Sequence, residues 1–266
     1  MCKGVLRMPL TKMPEVTPSS QRIFFIKEEI PYYSKHDQLL KQLIEMFFEE
    51  FLEAFFPEIR EQIEFERITF FPKERLTEFF NGNKRVLHFV TKGTWNKNDA
   101  LVSVHVKPQS SNLPIFNKMF TRLHMIEKLT CSLVIYRYEE AWDKNKYSVP
   151  FSDLEVLNFH YFTLHLRKQN WRTFIEKDNP VAAAFFSKMR YAEDEKVKVK
   201  LEFYKTLARL KLDLWEMDVL VRFFETDLTL SDIGKAIFIE EVKKLHNADE
   251  ILEILFDLKK WKGNRK

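Results

Sequence analysis

The sequence predicts an α/β fold, a mixed central sheet flanked by helices and followed by a helical C-terminal region. Three observations predict it. A broad apolar stripe with spacings of three and four runs along residues 39–56. Behind it come short segments of period-two alternation, separated by turn signals. Beyond residue 178 the apolar spacing returns to that of helices.

The elements follow in order. Residues 1–34 read as an N-terminal extension, because Pro9, Pro14, Pro18 and Pro31 interrupt any helical period. Within it, Phe24, Phe25 and Ile26 fit a short strand or a patch packed on the core. The first strong element starts near Lys35. Leu39, Leu43, Phe47, Phe51 and Phe55 form one row, and Leu40, Ile44, Phe48, Leu52 and Phe56 the adjacent one. Pro57 ends this helix, and its polar face is acidic, which suits packing on a sheet better than lying on a membrane. Strands are predicted at 68–71, at 85–95 after the Asn81-Gly82 turn, and at 100–109, the last two as an antiparallel hairpin. Residues 111–129 are helical in pattern, and 131–138 and 156–166 are continuous apolar strands. A strand that follows a helix implies a parallel crossover, hence a mixed sheet within a core spanning 35–177. The region 178–266 is predicted helical. Asn179-Pro180 starts an alanine-rich helix through Met189, and amphipathic helices follow at 197–210 and 232–260, before a basic tail.

Composition removes several function classes. There are 26 phenylalanines but 5 glycines, and neither GxGxxG nor GxxxxGK spacing occurs, which excludes the usual nucleotide-binding loops. The net charge of +4 and pI of about 8.8 permit nucleic-acid binding without demanding it. Two cysteines, Cys2 and Cys131, with no CxxC, fit a reducing compartment. The opening lacks a secretory apolar run, and no stretch reaches the roughly 18 apolar residues of a membrane span. A cytoplasmic chain with no membrane partner is expected.

The chemistry centres on the hairpin. Along the second strand Val102, Val104 and Val106 alternate with Ser103, His105, Lys107 and Gln109. On its neighbour, Val86, His88 and Val90 share a face. A lone polar residue beside a polar-x-polar pair is the arrangement metal-dependent nucleases use, with Asp as the lone residue and Glu-x-Lys as the pair. His160 and His165 are five apart, which fits no common zinc spacing and points to core or surface duty.

Several blocks carry a resemblance. HDQLLKQLIEMFFEEFLEAFFPEI (36–59), VSVHVKPQSS (102–111), NKMF (117–120), RKQNWRTFI (167–175), DNPVAAA (178–184) and VKVKLEF (197–203) occur in this order. Together they resemble a bacterial recombination-promoting nuclease and transposase-like family of the PD-(D/E)xK superfamily, over about residues 36–225. The resemblance implies a restriction-endonuclease-like fold and Mg²⁺-dependent DNA cleavage. The family's helix glutamate falls on Glu45, which is kept, and its glutamine on Gln109, also kept. Its strand aspartate falls on His88, in RVLHFV, and its strand glutamate on Lys107, in HVKPQS. A threonine-acid pair falls on Thr77 and Glu78, with Glu in place of Asp. The helix after the active-site strand is about one turn short, between Phe120 and Arg122.

These departures strike the metal site. Two carboxylates become an imidazole and an ammonium, moving the local charge from about −2 to about +1. An ammonium ~4 Å from a divalent ion is repelled by roughly 8 kcal/mol even at an effective dielectric near 20. The expectation is therefore a catalytically inactive member of the family, with Glu45, His88, Lys107 and Gln109 at the site positions and no bound metal. Lys107 would hold a DNA phosphate, without sequence preference. Two alternatives stand beside it. One is an active Mg²⁺-dependent endonuclease in which Glu74, Glu78 or Asp99 substitutes. The other is a non-enzymatic interaction protein or mobile-element relic.

Overall fold

In the computed structural model, which describes residues 35–70, 87–95, 98–107, 129–136, 145–151 and 154–263, the apolar stripe forms two helices where its spacing predicts one. α1 (Lys35–Met46) and α2 (Phe48–Phe55) meet at Phe47, whose φ of −124° and ψ of 47° leave the helical region. The Phe47 N–H still donates to Leu43 O, and the Phe51 N–H to Phe47 O, so hydrogen bonding runs on across the break. Two adjacent bulky rings, Phe47 and Phe48, stand where a proline or glycine usually makes such a kink, and both are buried. Pro57 ends α2 and also opens one more turn, α3 (Pro57–Arg60). Its fixed φ suits a first helical position, where an N–H is not needed.

Among the described residues seven strands follow: β1 (Ile63–Phe70), β2 (Leu87–Trp95), β3 (Asn98–Lys107), β4 (Leu129–Tyr136), β5 (Lys146–Phe151), β6 (Leu154–His160) and β7 (Phe162–His165). Five form a mixed sheet in the order β1-β2-β3-β4-β7, while β5 and β6 pair separately. The β1–β2 and β2–β3 pairs are antiparallel, and β3–β4 and β4–β7 are parallel. The fold is thus mixed α/β with a parallel crossover, as the sequence predicts. Strand ends expected at 71, 85–86, 108–109 and 137–138 lie outside the described residues. So does the helix expected over 111–129, apart from Leu129, which begins β4.

Three strand assignments change. β1 begins at Ile63, well before the predicted residue 68, and its register slips between Glu64 and Thr69. Among the described strands it stands at the edge of the sheet, where a charged residue such as the exposed Glu64 interrupts the apolar pattern at little cost. β5 carries no strong alternation and escapes prediction altogether. The apolar run 156–166 is one strand in prospect and two in fact, divided at Tyr161 between the small and the large sheet. The Tyr161 N–H donates to Asn145 O at 2.9 Å, which fixes the crossing point.

The C-terminal region contains α4 (Pro180–Phe185), α5 (Lys196–Arg209), α6 (Leu214–Asp227), α7 (Asp232–Lys243) and α8 (Ala248–Gly263). α4 is wholly buried and ends in a 3-10 turn at Phe186–Lys188, short of the predicted Met189. Asn179 caps it, its Oδ1 accepting from the Ala182 N–H while its Nδ2 donates to Glu50 O, both at 2.9 Å. One buried amide thereby ties α2 to α4. α6 was not expected, yet its start is written in a capping box. The Asp213 carboxylate accepts from the Glu216 N–H at 2.8 Å, and Glu216 accepts from the Asp213 N–H at 2.9 Å. The segment 232–260, expected as unbroken helix, divides after the Lys243-Lys244 turn.

A single apolar cluster joins Leu40, Leu43 and Phe51 to Val102, Val104, Leu133 and Ile135 of the sheet, and to Phe185, Phe223 and Phe224 of the C-terminal helices. Alternation then puts Ser103, His105, Ser132 and Val134 on the other face, where Val134, Tyr136 and Tyr161 form a smaller cluster.

Two expected results follow from these surroundings. Burial, with Glu49, Glu53 and Glu216 adding repulsion, holds the Glu50 carboxyl above the usual carboxylate range. A raised folded pKa stabilises the native state only while the proton is bound, that is, below the unfolded value, and that stability is lost as pH rises through the folded value. Glu50→Gln should therefore raise Tm near pH 7, with the gain closing by about pH 4. Equal melts at neutral pH would contradict this. Burial also pushes the Cys131 thiol up to about 12. Its thiolate fraction at pH 8 is then on the order of one in ten thousand. In a Cys2→Ser background the native chain should resist iodoacetamide and become labelled once unfolded, as intact mass would report.

Candidate functional site

The site begins with the β2–β3 register. Position 88 pairs with 105, Val90 with Ser103, and Leu87 with Val106. In antiparallel strands, paired positions share a face, so 88 and 90 go with 103 and 105, and position 107 lies one pleat further along the same row. Parallel pairing then aligns Ser103 with Ser132, His105 with Val134 and position 107 with Tyr136. The last parallel pair adds Thr163 opposite Val134 and His165 opposite Tyr136.

Where described, the side chains make a buried polar band. Ser103 Oγ and His105 Nε2 share a hydrogen bond of 2.7 Å. Ser132 is buried beside them by register. The rings of Tyr136 and His165 stack 4.4 Å apart with planes 7° from parallel. Burial raises the pKa of the Tyr161 phenol, partly offset by the Tyr136 hydroxyl. The described members of the band are hydroxyls, imidazoles and one phenol-imidazole stack, with no carboxylate among them. Such groups donate and accept hydrogen bonds but offer no anionic oxygen to a hard cation. Among the described residues, no group of three His, Cys, Asp or Glu side chains is placed to hold a metal ion.

The predicted site residues fall as follows. His88 and Lys107 have described backbones on paired strands, while their side chains, and the whole of Gln109, lie outside the described residues. Glu45 is on α1, half-buried, with an ion pair to Lys41 Nζ at 3.1 Å. α1 packs through Leu40, Leu43 and Ile44 into the cluster that holds Val102 and Val104, the face opposite Ser103 and His105. Of the substitute acids, Glu74 and Glu78 lie outside the described residues. Asp99 pairs with Thr94 at the far end of β3. Eight residues of strand put it about 26 Å from position 107, too far to share a metal with it. His160 and His165, expected on one strand, end different strands of different sheets. His160 is exposed, whereas His165 is buried against Tyr136.

Of the row Ser103–Gln109 expected from the sequence, the structure describes the side chains of Ser103 and His105, and it adds Ser132 and Tyr136, which the sequence reading did not single out. A serine and a tyrosine inside an apolar strand were visible signals, but parallel register, which alone brings them beside Ser103 and position 107, has no local mark. No helix among the described residues is long and apolar enough to cross a membrane. Comparison with known proteins finds no family model, no curated protein and no solved structure that matches this chain.

Proposed function

We propose that this chain is a nuclease-fold protein of the PD-(D/E)xK plan that has lost metal-dependent cleavage and keeps non-specific contact with DNA phosphates. The order β1-β2-β3-β4-β7, with β2 reversed, a helix ahead of β1 and a parallel step from β3 to β4, agrees with a restriction-endonuclease-like core. The observation that carries the reading is the pairing of position 88 with 105. It makes 88 and 107 diagonal neighbours, roughly 7–8 Å apart at the backbone, as two residues sharing one metal would need to be. Both replaced positions thus fall on a single locus, where an imidazole and an ammonium stand in place of two carboxylates.

Purified protein should not nick supercoiled plasmid with Mg²⁺. It should bind duplex DNA of any sequence, with affinity falling steeply as salt rises through counterion release. Lys107→Glu should weaken that binding severalfold and leave the circular dichroism spectrum unchanged. Chelator-sensitive nicking by the wild type would overturn the loss of cleavage. Affinity indifferent to salt, or none, would overturn the phosphate contact.

A further inference from the structure

The outward side of α8 carries an exposed aromatic ring between acidic and basic ends, an order of charge that also suits the helix dipole. Its inner side is set by Ile251, Ile254 and Leu258, which are buried in the main core. Opposite them Asp249, Glu253, Phe256 and Lys260 are exposed, at successive intervals of four, three and four. That spacing puts all four on one face of the helix, the one turned away from the core. Phe256, in the middle, is 65% exposed, the largest exposure of any aromatic side chain among the described residues. Charge divides on either side of it. Asp249, Glu250 and Glu253 precede Phe256; after it comes one acid, Asp257, and then Lys259 and Lys260, with Lys262, Arg265 and Lys266 continuing the basic end in the sequence. Glu250, Glu253 and Asp257 also line a depression of about 220 Å³ against Leu214 and Met217.

We propose that α8 is a self-association surface whose occupant is α8 of a second copy, running antiparallel. With Phe256 set against Phe256 of the other copy, Glu253 lies about 4.5 Å along the axis on one side, at the rise of a helix. Lys259 of the other copy arrives at that same level from the opposite direction, with Lys260 just beyond it. Each copy thus presents acid to base and base to acid, which is the self-complementarity that a two-fold contact requires. A parallel arrangement would oppose like charges along the whole seam. One helix pair with the adjoining depression is a small contact, so the association belongs to the weak, reversible class, with a dissociation constant on the order of micromolar.

Sedimentation velocity over a concentration series tests this directly. The wild type should shift from monomer to dimer with concentration, and the shift should weaken in high salt. Phe256→Glu should remain monomeric. The double variants Asp249→Lys/Glu253→Lys and Lys259→Glu/Lys260→Glu should each remain monomeric alone, because each now repels itself. Mixed in equal amounts they should form a heterodimer, since the all-basic seam meets the all-acidic one. All these positions are exposed, and unchanged circular dichroism would confirm that the variants fold. A wild type that stays monomeric up to about 100 μM, well above the affinity expected of a contact this size, overturns the proposal. So does dimerisation that survives Phe256→Glu, or a mixture of the two charge variants that does not associate.

Discussion

The double variant His88→Asp with Lys107→Glu is expected to gain Mg²⁺-dependent nicking of supercoiled plasmid, on the order of a hundredfold above the wild-type background or more. That figure is the low end of what one preorganised electrostatic element contributes to a reaction. The reason is ligand chemistry. A hard divalent cation binds anionic oxygens, and the resemblance assigns two of them to positions 88 and 107. Removing the ammonium at 107 relieves a repulsion of roughly 8 kcal/mol on a divalent ion ~4 Å away, and the new carboxylate turns it into attraction. Position 88 supplies the second oxygen from the neighbouring strand, within reach because 88 pairs with 105. Either single change should leave the chain silent, since half a site does not hold the ion. Calorimetric titration with Mg²⁺ gives a readout independent of cleavage, in which the double variant should bind and the wild type and both single variants should not. Mg²⁺ binding by the wild type equal to that of the double variant would refute the assignment of these positions.

Asp227→Ala is expected to cost about 3–5 kcal/mol of stability, the usual consequence of taking one partner from a buried ion pair. Lys188 Nζ and Asp227 Oδ1 are 2.5 Å apart, with their side chains only 7% and 12% exposed. Lys188 closes the turn after α4, and Asp227 ends α6, so the pair clamps the two helices of the C-terminal core at their ends. Without Asp227 the ammonium stays in a poorly solvated place with its main counter-charge gone. Tm should fall by on the order of 10 °C for a chain of this size. Lys188→Met combined with Asp227→Leu should recover most of the loss, because an apolar pair of similar volume avoids the desolvation of both ions. Chemical denaturation of the three proteins measures this. A loss below about 1 kcal/mol for Asp227→Ala would show that the site is wetter than its burial indicates.

Much of the candidate site was legible because it depends on local periodicity. Alternation along 100–107 separates Val102 and Val104 from Ser103 and His105, and burial follows the same division. The hairpin was legible for the same reason, together with the short polar stretch between its strands. The break at Phe47 was not, because a run of phenylalanines reads as continuous helix and only the surface it must cover bends it. α6 could have been found from Asp213 and Glu216, but its buried Val219, Leu220, Val221, Phe223 and Phe224 crowd every side and blur the amphipathic period.

By itself the sequence determined the α/β class, the antiparallel pairing of β2 with β3, the apolar face of α1 and α2, and the mainly helical character of the described region after residue 178. Each is set by a spacing of two, three or four residues, or by a turn or cap within a few positions, so near neighbours carry the information. Tertiary structure alone decided which partner each apolar strand took. The run 156–166 contains nothing to say that Tyr161 leaves one sheet for another, and Ser132 and His165 join the polar band only through parallel register. It also decided that α1 covers the Val102–Val104 face, and that Phe256 stays outside while Ile254 and Leu258 go in. Those outcomes depend on contacts between residues far apart in the chain, where burial of apolar area selects among arrangements that local pattern leaves equal.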